Sequence, residues 1–155
     1  MKILRSVVIM ILVLGLASVV YAEQVKRTAK VISLEGDVSV KPIGKDWVAA
    51  QVDMALGEGD VIVTKKGASA LLNVDGDGET ATVTVNEGSQ LLMTELARDK
   101  DTGAQQTMLE LAAGKILIKA QKLHSEAERF EVQTPTTVVG VRGTVFEVEV
   151  GTLEE

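Results

Sequence analysis

The residues best suited to chemistry are acidic, and their spacing supports little of it. Asn73-Val-Asp-Gly-Asp-Gly-Glu79 superficially resembles a calcium loop. An EF-hand needs a bidentate Glu at its twelfth position and flanking helices. Counted from Asn73, that position is Thr84, inside a β-rich run. A tight β-turn explains the same residues without a metal. His124 is the single histidine and cysteine is absent, so neither a His-rich nor a thiolate metal site can form. A serine nucleophile would have only this base, and no Gly-x-Ser-x-Gly elbow exists. Glu147 and Glu149 lie two apart, hence on one face of a strand. Glu126 and Glu128 form a second pair. Glycosidases set two carboxylates across a cleft, usually beside aromatic platforms. With Trp47, Phe130 and Phe146 as the only aromatics after residue 22, a solvated strand face is the better reading. Such charges also protect a sheet edge from unwanted pairing. No GxGxxG follows a strand, no P-loop is present, and Lys65-Lys66 reads as a solvated turn. No catalytic residue, cofactor or metal is therefore expected.

The elements that would position these residues are β almost throughout. Short β-branched and aliphatic runs alternate with Gly, Asp and Asn. Candidate strands are 28–34, 37–41, 61–64, 69–74, 80–86, 90–96, 107–111, 115–120, 129–134, 137–141 and 144–150. Asp75-Gly76-Asp77-Gly78 is the strongest hairpin signal, since Asp-Gly supplies the positive φ of a primed turn. Thr80-Ala-Thr-Val-Thr-Val85 alternates cleanly, with Ala81, Val83 and Val85 on one face. Lys115-Ile-Leu-Ile-Lys119 is apolar in its middle and suits cover on both faces. Residues 97–106 read as a surface loop or long hairpin end, and 121–128 as a loop or single helical turn. Gly36, Gly59, Gly88, Gly114 and Gly143 each precede a β-run, at offsets that would suit rungs of a solenoid. The offsets are unequal, which favours an ordinary all-β domain. The expected fold is a single all-β domain, a β-sandwich or β-roll of about ten short strands, with a short β-solenoid as the alternative.

The first residues carry an address. Lys2 and Arg5 precede an apolar run from Val7, and Ala17-Ser-Val-Val-Tyr-Ala22 ends in a small residue. This is the layout of a signal peptide over residues 1–22, with cleavage expected between Ala22 and Glu23. The competing reading keeps the segment as an uncleaved anchor, but the apolar stretch is shorter than the roughly 20 residues of a spanning helix, which favours cleavage and leaves no stable membrane span after it. Without cysteine a lipid anchor is excluded. The full chain has formal net charge −6, and losing Lys2 and Arg5 makes the remainder, 23–155, more acidic still. Such a chain repels phosphate backbones, so nucleic acid is not an expected partner. The chain is expected in the periplasm or outside the cell. Its stability must come from an aliphatic core rather than from disulfides.

Three stretches in order carry a family resemblance. The first is Gly36-Asp-Val-Ser-Val40, Trp47, and Leu56-Gly-Glu-Gly-Asp-Val-Ile-Val-Thr64, including Gly59 and Asp60. The second is Ala68-Ser-Ala-Leu-Leu-Asn-Val-Asp-Gly76, followed by Leu109-Glu-Leu-Ala-Ala-Gly-Lys-Ile116. The third is Phe130-Glu-Val-Gln-Thr-Pro135 with Val141-Arg-Gly-Thr-Val-Phe146, which contains Arg142, Gly143 and Thr144. Together they resemble the FecR domain, named after the periplasmic regulator of ferric citrate uptake. The resemblance implies an all-β extracytoplasmic module used for protein–protein contact. In signalling members it is joined to a cytoplasmic anti-sigma segment and a membrane helix. Only six residues precede the apolar run here, so the expectation is a domain-only member.

The physics of these residues is structural. Pro135 should interrupt a ladder, and Gly143 should permit the turn that Arg142 enters. Phe146 and Val148 should share one face, with Val145 and Glu147 on the other. Trp47 is expected to cover one end of the core. Arg142 is expected to pair a carboxylate or strand carbonyls. The function expected is non-enzymatic binding of an envelope protein or glycan through a strand edge or the turn-rich rim. The rivals are a self-associating structural subunit and an envelope polysaccharide hydrolase.

Overall fold

The computed structural model describes residues 23–75 and 80–151. The signal segment 1–22, and residues 76–79 of the Asp75–Gly78 turn and the calcium-like stretch, lie outside the described residues. The described residues form thirteen strands and no helix. They are β1 (Gln24–Lys26), β2 (Ala29–Glu35), β3 (Val38–Lys41), β4 (Val48–Ala49), β5 (Ala55–Leu56), β6 (Val61–Thr64) and β7 (Ser69–Val74). There follow β8 (Ala81–Val85), β9 (Gln90–Asp99), β10 (Gln105–Ala120), β11 (Arg129–Gln133), β12 (Val138–Gly140) and β13 (Val145–Val150).

The all-β expectation holds. The strands make one sheet in the order β4-β3-β6-β9-β10-β8-β7-β2-β5, with β1 on β9, β11 and β13 on β10, and β12 on β11. Every described pairing is antiparallel except β10 with β11. A solenoid stacks parallel rungs, so the solenoid alternative is excluded. The five repeat glycines do share φ angles between 64° and 87°, but as turn and bulge positions rather than as rungs.

Strand β10 organises the rest. The sequence read Gly114 as a break between two short strands; instead one strand of 16 residues runs through it. Its first half pairs β9 on one edge and β11 on the other. Its second half pairs β8 and β13. A register shift between Leu111 and Ala113 bends the strand just before Gly114. The sheet thereby curls into a half-barrel whose two halves face one core.

That core is aliphatic and follows period-2 alternation. Ile62, Leu72, Val83, Leu91, Leu109, Leu111, Ile116 and Ile118 are all essentially inaccessible and belong to a single cluster. Each such side chain contributes roughly 1.5–3 kcal/mol by leaving water. Ala81, Val83 and Val85 point inward as the alternation requires, with Thr82 and Thr84 half-buried on the outer face. Leu117 is only half-buried. The Lys115–Lys119 run is thus covered on one face, not two, because no described residue packs fully over the outside of β10. Residues 97–106 form a long hairpin end, in which the Ala104 carbonyl accepts from the Asp99 amide at 2.9 Å. Residues 121–128 form a loop, and the helical turn considered for them is absent.

Candidate functional site

The motif residues are scattered, and most of them hold strands together. Asp60 is buried and accepts the backbone amides of Ile43 and Gly57, each at 2.8 Å. The neighbouring Gly59 amide donates to the Met93 carbonyl at 2.8 Å. Asp60 therefore fastens the β3–β6 connection to the sheet. Thr64 is buried at the end of β6; its hydroxyl accepts the Ser89 amide at 3.1 Å and donates to the Asn86 carbonyl. Pro135 sits in the turn after β11, closed by Thr134 amide to Thr137 carbonyl at 2.8 Å. The ladder stops there, as its ring predicts.

Two expectations are corrected. Trp47 does not cover the core: it is 50% exposed, in the connection before the edge strand β4, with the Lys41 ammonium 6.0 Å from its ring centroid. Trp47→Ala is accordingly expected to shift stability by no more than about 0.5 kcal/mol. Asp60→Ala, which orphans two amides, should cost about 1–3 kcal/mol. Urea unfolding of both variants checks the contrast. Arg142 is exposed and has no carboxylate within 4.0 Å among the described residues.

The buried arginine is Arg27, which the sequence reading passed over. It is 7% exposed. Its Nε and Nη2 grip both oxygens of Asp75, the second at 2.6 Å. Nη1 donates to the carbonyls of Ala97 and Gln106 at 3.2 Å and to the Thr107 hydroxyl at 3.0 Å. Arg98 adds a second cation, 3.8 Å from Asp75 Oδ2. The only available signal was a positive residue at a strand junction, and Asp75 was already explained by its turn.

A shallow cleft of about 320 Å³ lies between Thr80, Gln105, the 121–124 loop, Glu128 and Arg129. His124 is exposed there, and its backbone amide donates to the Glu128 carboxylate at 2.5 Å. Glu128 is thus engaged in shaping the loop. Among the described residues, no group of three His, Cys, Asp or Glu is placed to hold a metal.

The closing segment forms a different feature. Gly143 has φ 77°, and a Cβ there would lie 2.6 Å from Lys122 Cα, so the return to β10 needs glycine. The Thr144 carbonyl then accepts the Ala120 amide at 3.2 Å. Phe146 packs against the core and Val148 is buried, while Val145 and Glu147 are exposed, as the alternation predicts. Lys115 bridges Glu149 at 3.1 Å and Glu147 at 3.3 Å. Hydrogen bonding to Glu149, then Glu147, holds its pKa above the ordinary lysine value. Strand β13 pairs only β10 among the described strands. Among the described residues its other side is an open edge.

An all-β module with an open strand edge among its described residues is the class these features define. The FecR protein family matches residues 60–154, well over half of the chain, and the chain belongs to that family. The match takes in the Asp60–Thr64, Pro135 and Arg142–Phe146 stretches; Gly36–Val40 and Trp47 lie before it. The family implies an envelope-signalling context. Comparison with curated proteins and with solved structures gives no match. No helix among the described residues is long and apolar enough to cross a membrane.

Proposed function

We propose that the protein is an exported, non-enzymatic β-domain that binds another envelope component, a protein, through the open edge of β13. The leader-like first 22 residues support a periplasmic or secreted location. The observation that carries the binding role is the unpaired edge itself. An edge strand offers a row of backbone donors and acceptors to an incoming strand. The Asp60, Thr64 and Arg27 networks act to hold the sheet that presents it. Among the described residues Glu128 is the one carboxylate lining the cleft and no Trp, Tyr or Phe lines it, which argues against the hydrolase rival.

Affinity capture from the native envelope, with crosslinking and mass spectrometry, tests this reading. The native domain should recover a protein partner that Val145→Pro loses. Val145 opens β13 with its N–H turned away from β10, so proline there removes an outward donor and leaves the β10 ladder intact. Retention on cell-wall glycan with no protein recovered would overturn the proposal. N-terminal sequencing of the exported form should begin at Glu23; an intact Met1 in the membrane fraction would refute cleavage.

A further inference from the structure

The binding edge proposed above has a definite polarity. The Ala120 amide donates to the Thr144 carbonyl, and the register sets Ile118 opposite Phe146, Ile116 opposite Val148 and Gly114 opposite Val150. Antiparallel ladders alternate. Even-numbered residues of β13 therefore turn their backbone groups toward β10. Val145, Glu147 and Glu149 turn theirs outward, and all three side chains are exposed on the outer face. Phe146 and Val150 lie on the opposite face, partly buried against the core.

We infer that this edge accepts an extended segment with cationic residues at alternate positions, and that it disfavours a second copy of itself; the inference rests on the edge reading above. Residues directly opposite in an antiparallel pair share a face. Self-pairing in either register that uses nearly the whole strand would set Glu147 against Glu147 or against Glu149. Like charges directly opposite are destabilising. Lys115 bridges both glutamates and Lys119 stands opposite Val145 on the same face, but both lysines lie on the β10 side, so Glu147 and Glu149 are the charges an incoming strand would meet directly. The chain's overall charge of −6 adds to the attraction for a basic partner.

An antiparallel partner read from its N-terminus would meet Glu149, then Glu147, then Val145. Its complement is cation-x-cation-x-apolar. The intervening positions would stand opposite Val148 and Phe146, on the core-facing side, and suit small apolar residues. Docking would extend the Lys115–glutamate contacts into a row of alternating charge across three strands.

The test uses the exported chain and two acetylated peptides, one containing Lys-Val-Lys-Val-Val and one with both lysines replaced by glutamate. At low salt the lysine peptide should bind at least tenfold more tightly. Glu147→Gln with Glu149→Gln should bring the two within about twofold, and Val145→Pro should abolish both. Equal binding of the peptides by the native chain would overturn the charge rule. So would a preference that survives the double substitution. A concentration-dependent dimer in size-exclusion chromatography, lost in Val145→Pro, would overturn the claim against self-pairing. If envelope capture yields a partner sensitive to Val145→Pro but lacking alternating cations, the edge reading stands and this inference falls.

Discussion

Arg27→Met is expected to lower the unfolding free energy by about 3–5 kcal/mol, read from the shift of the urea transition. The size follows from what remains. Asp75 would keep a buried charge after losing its bidentate partner. The carbonyls of Ala97 and Gln106 and the Thr107 hydroxyl would each lose a donor. Arg98, at 3.8 Å, is too far to replace those bonds. Asp75→Asn is the companion variant. Asp75 has φ 79°, a region asparagine tolerates, so the change removes charge without adding backbone strain. The double variant should lose less than the sum of the singles, because the two side chains act on each other. A loss below about 1 kcal/mol for Arg27→Met would mean that the pair contributes as an exposed one does.

Gly114→Ala should be comparably damaging, roughly 2–5 kcal/mol. Two effects add at this position. Its φ of 86° is the left-handed region, which L side chains resist. An added Cβ would also lie 2.3 Å from Ser89 Oγ, 2.4 Å from Ser89 Cα and 2.6 Å from the Gly88 carbonyl oxygen. Two of those atoms are backbone, so no rotamer change relieves the clash. Ser89 is itself committed, with its Oγ accepting the Lys115 amide at 2.8 Å and donating to the Lys115 carbonyl at 3.0 Å. Gly140→Ala is the control. It has no heavy atom within 4 Å of an added Cβ and lies outside the left-handed region, so its effect should stay within about 0.5 kcal/mol. Equal thermal midpoints for the two alanine variants would refute the argument.

These two sites mark where the sequence stopped being readable. Val61–Thr64 and Ser69–Val74 were legible to the residue because each is a short β-favouring or aliphatic run set between turn formers. β1, β4 and β5 were not: two or three residues carry no period, and their pairing is decided by neighbours far along the chain. β10 was split because glycine usually punctuates; only the approach of Ser89 shows why a continuous strand passes through it. Arg27 and Asp75 are 48 residues apart, and each has a sufficient local explanation, so only closure of the sheet makes them a pair. Trp47 misled through its type, since a large aromatic is more often core than rim. The open edge of β13 was half legible: alternation gave its outer face, but not the empty space beside it.

The passage of β10 from one half of the sheet to the other also sets how the domain comes apart. Neither half owns the strand, and each uses both of its edges. Melting either half exposes part of the other, so partial opening yields no independently folded remainder. The domain should therefore unfold in one transition, with fluorescence and circular dichroism coincident. The amides of Leu109, Leu111, Ile116 and Ile118 should exchange with deuterium only through that global event.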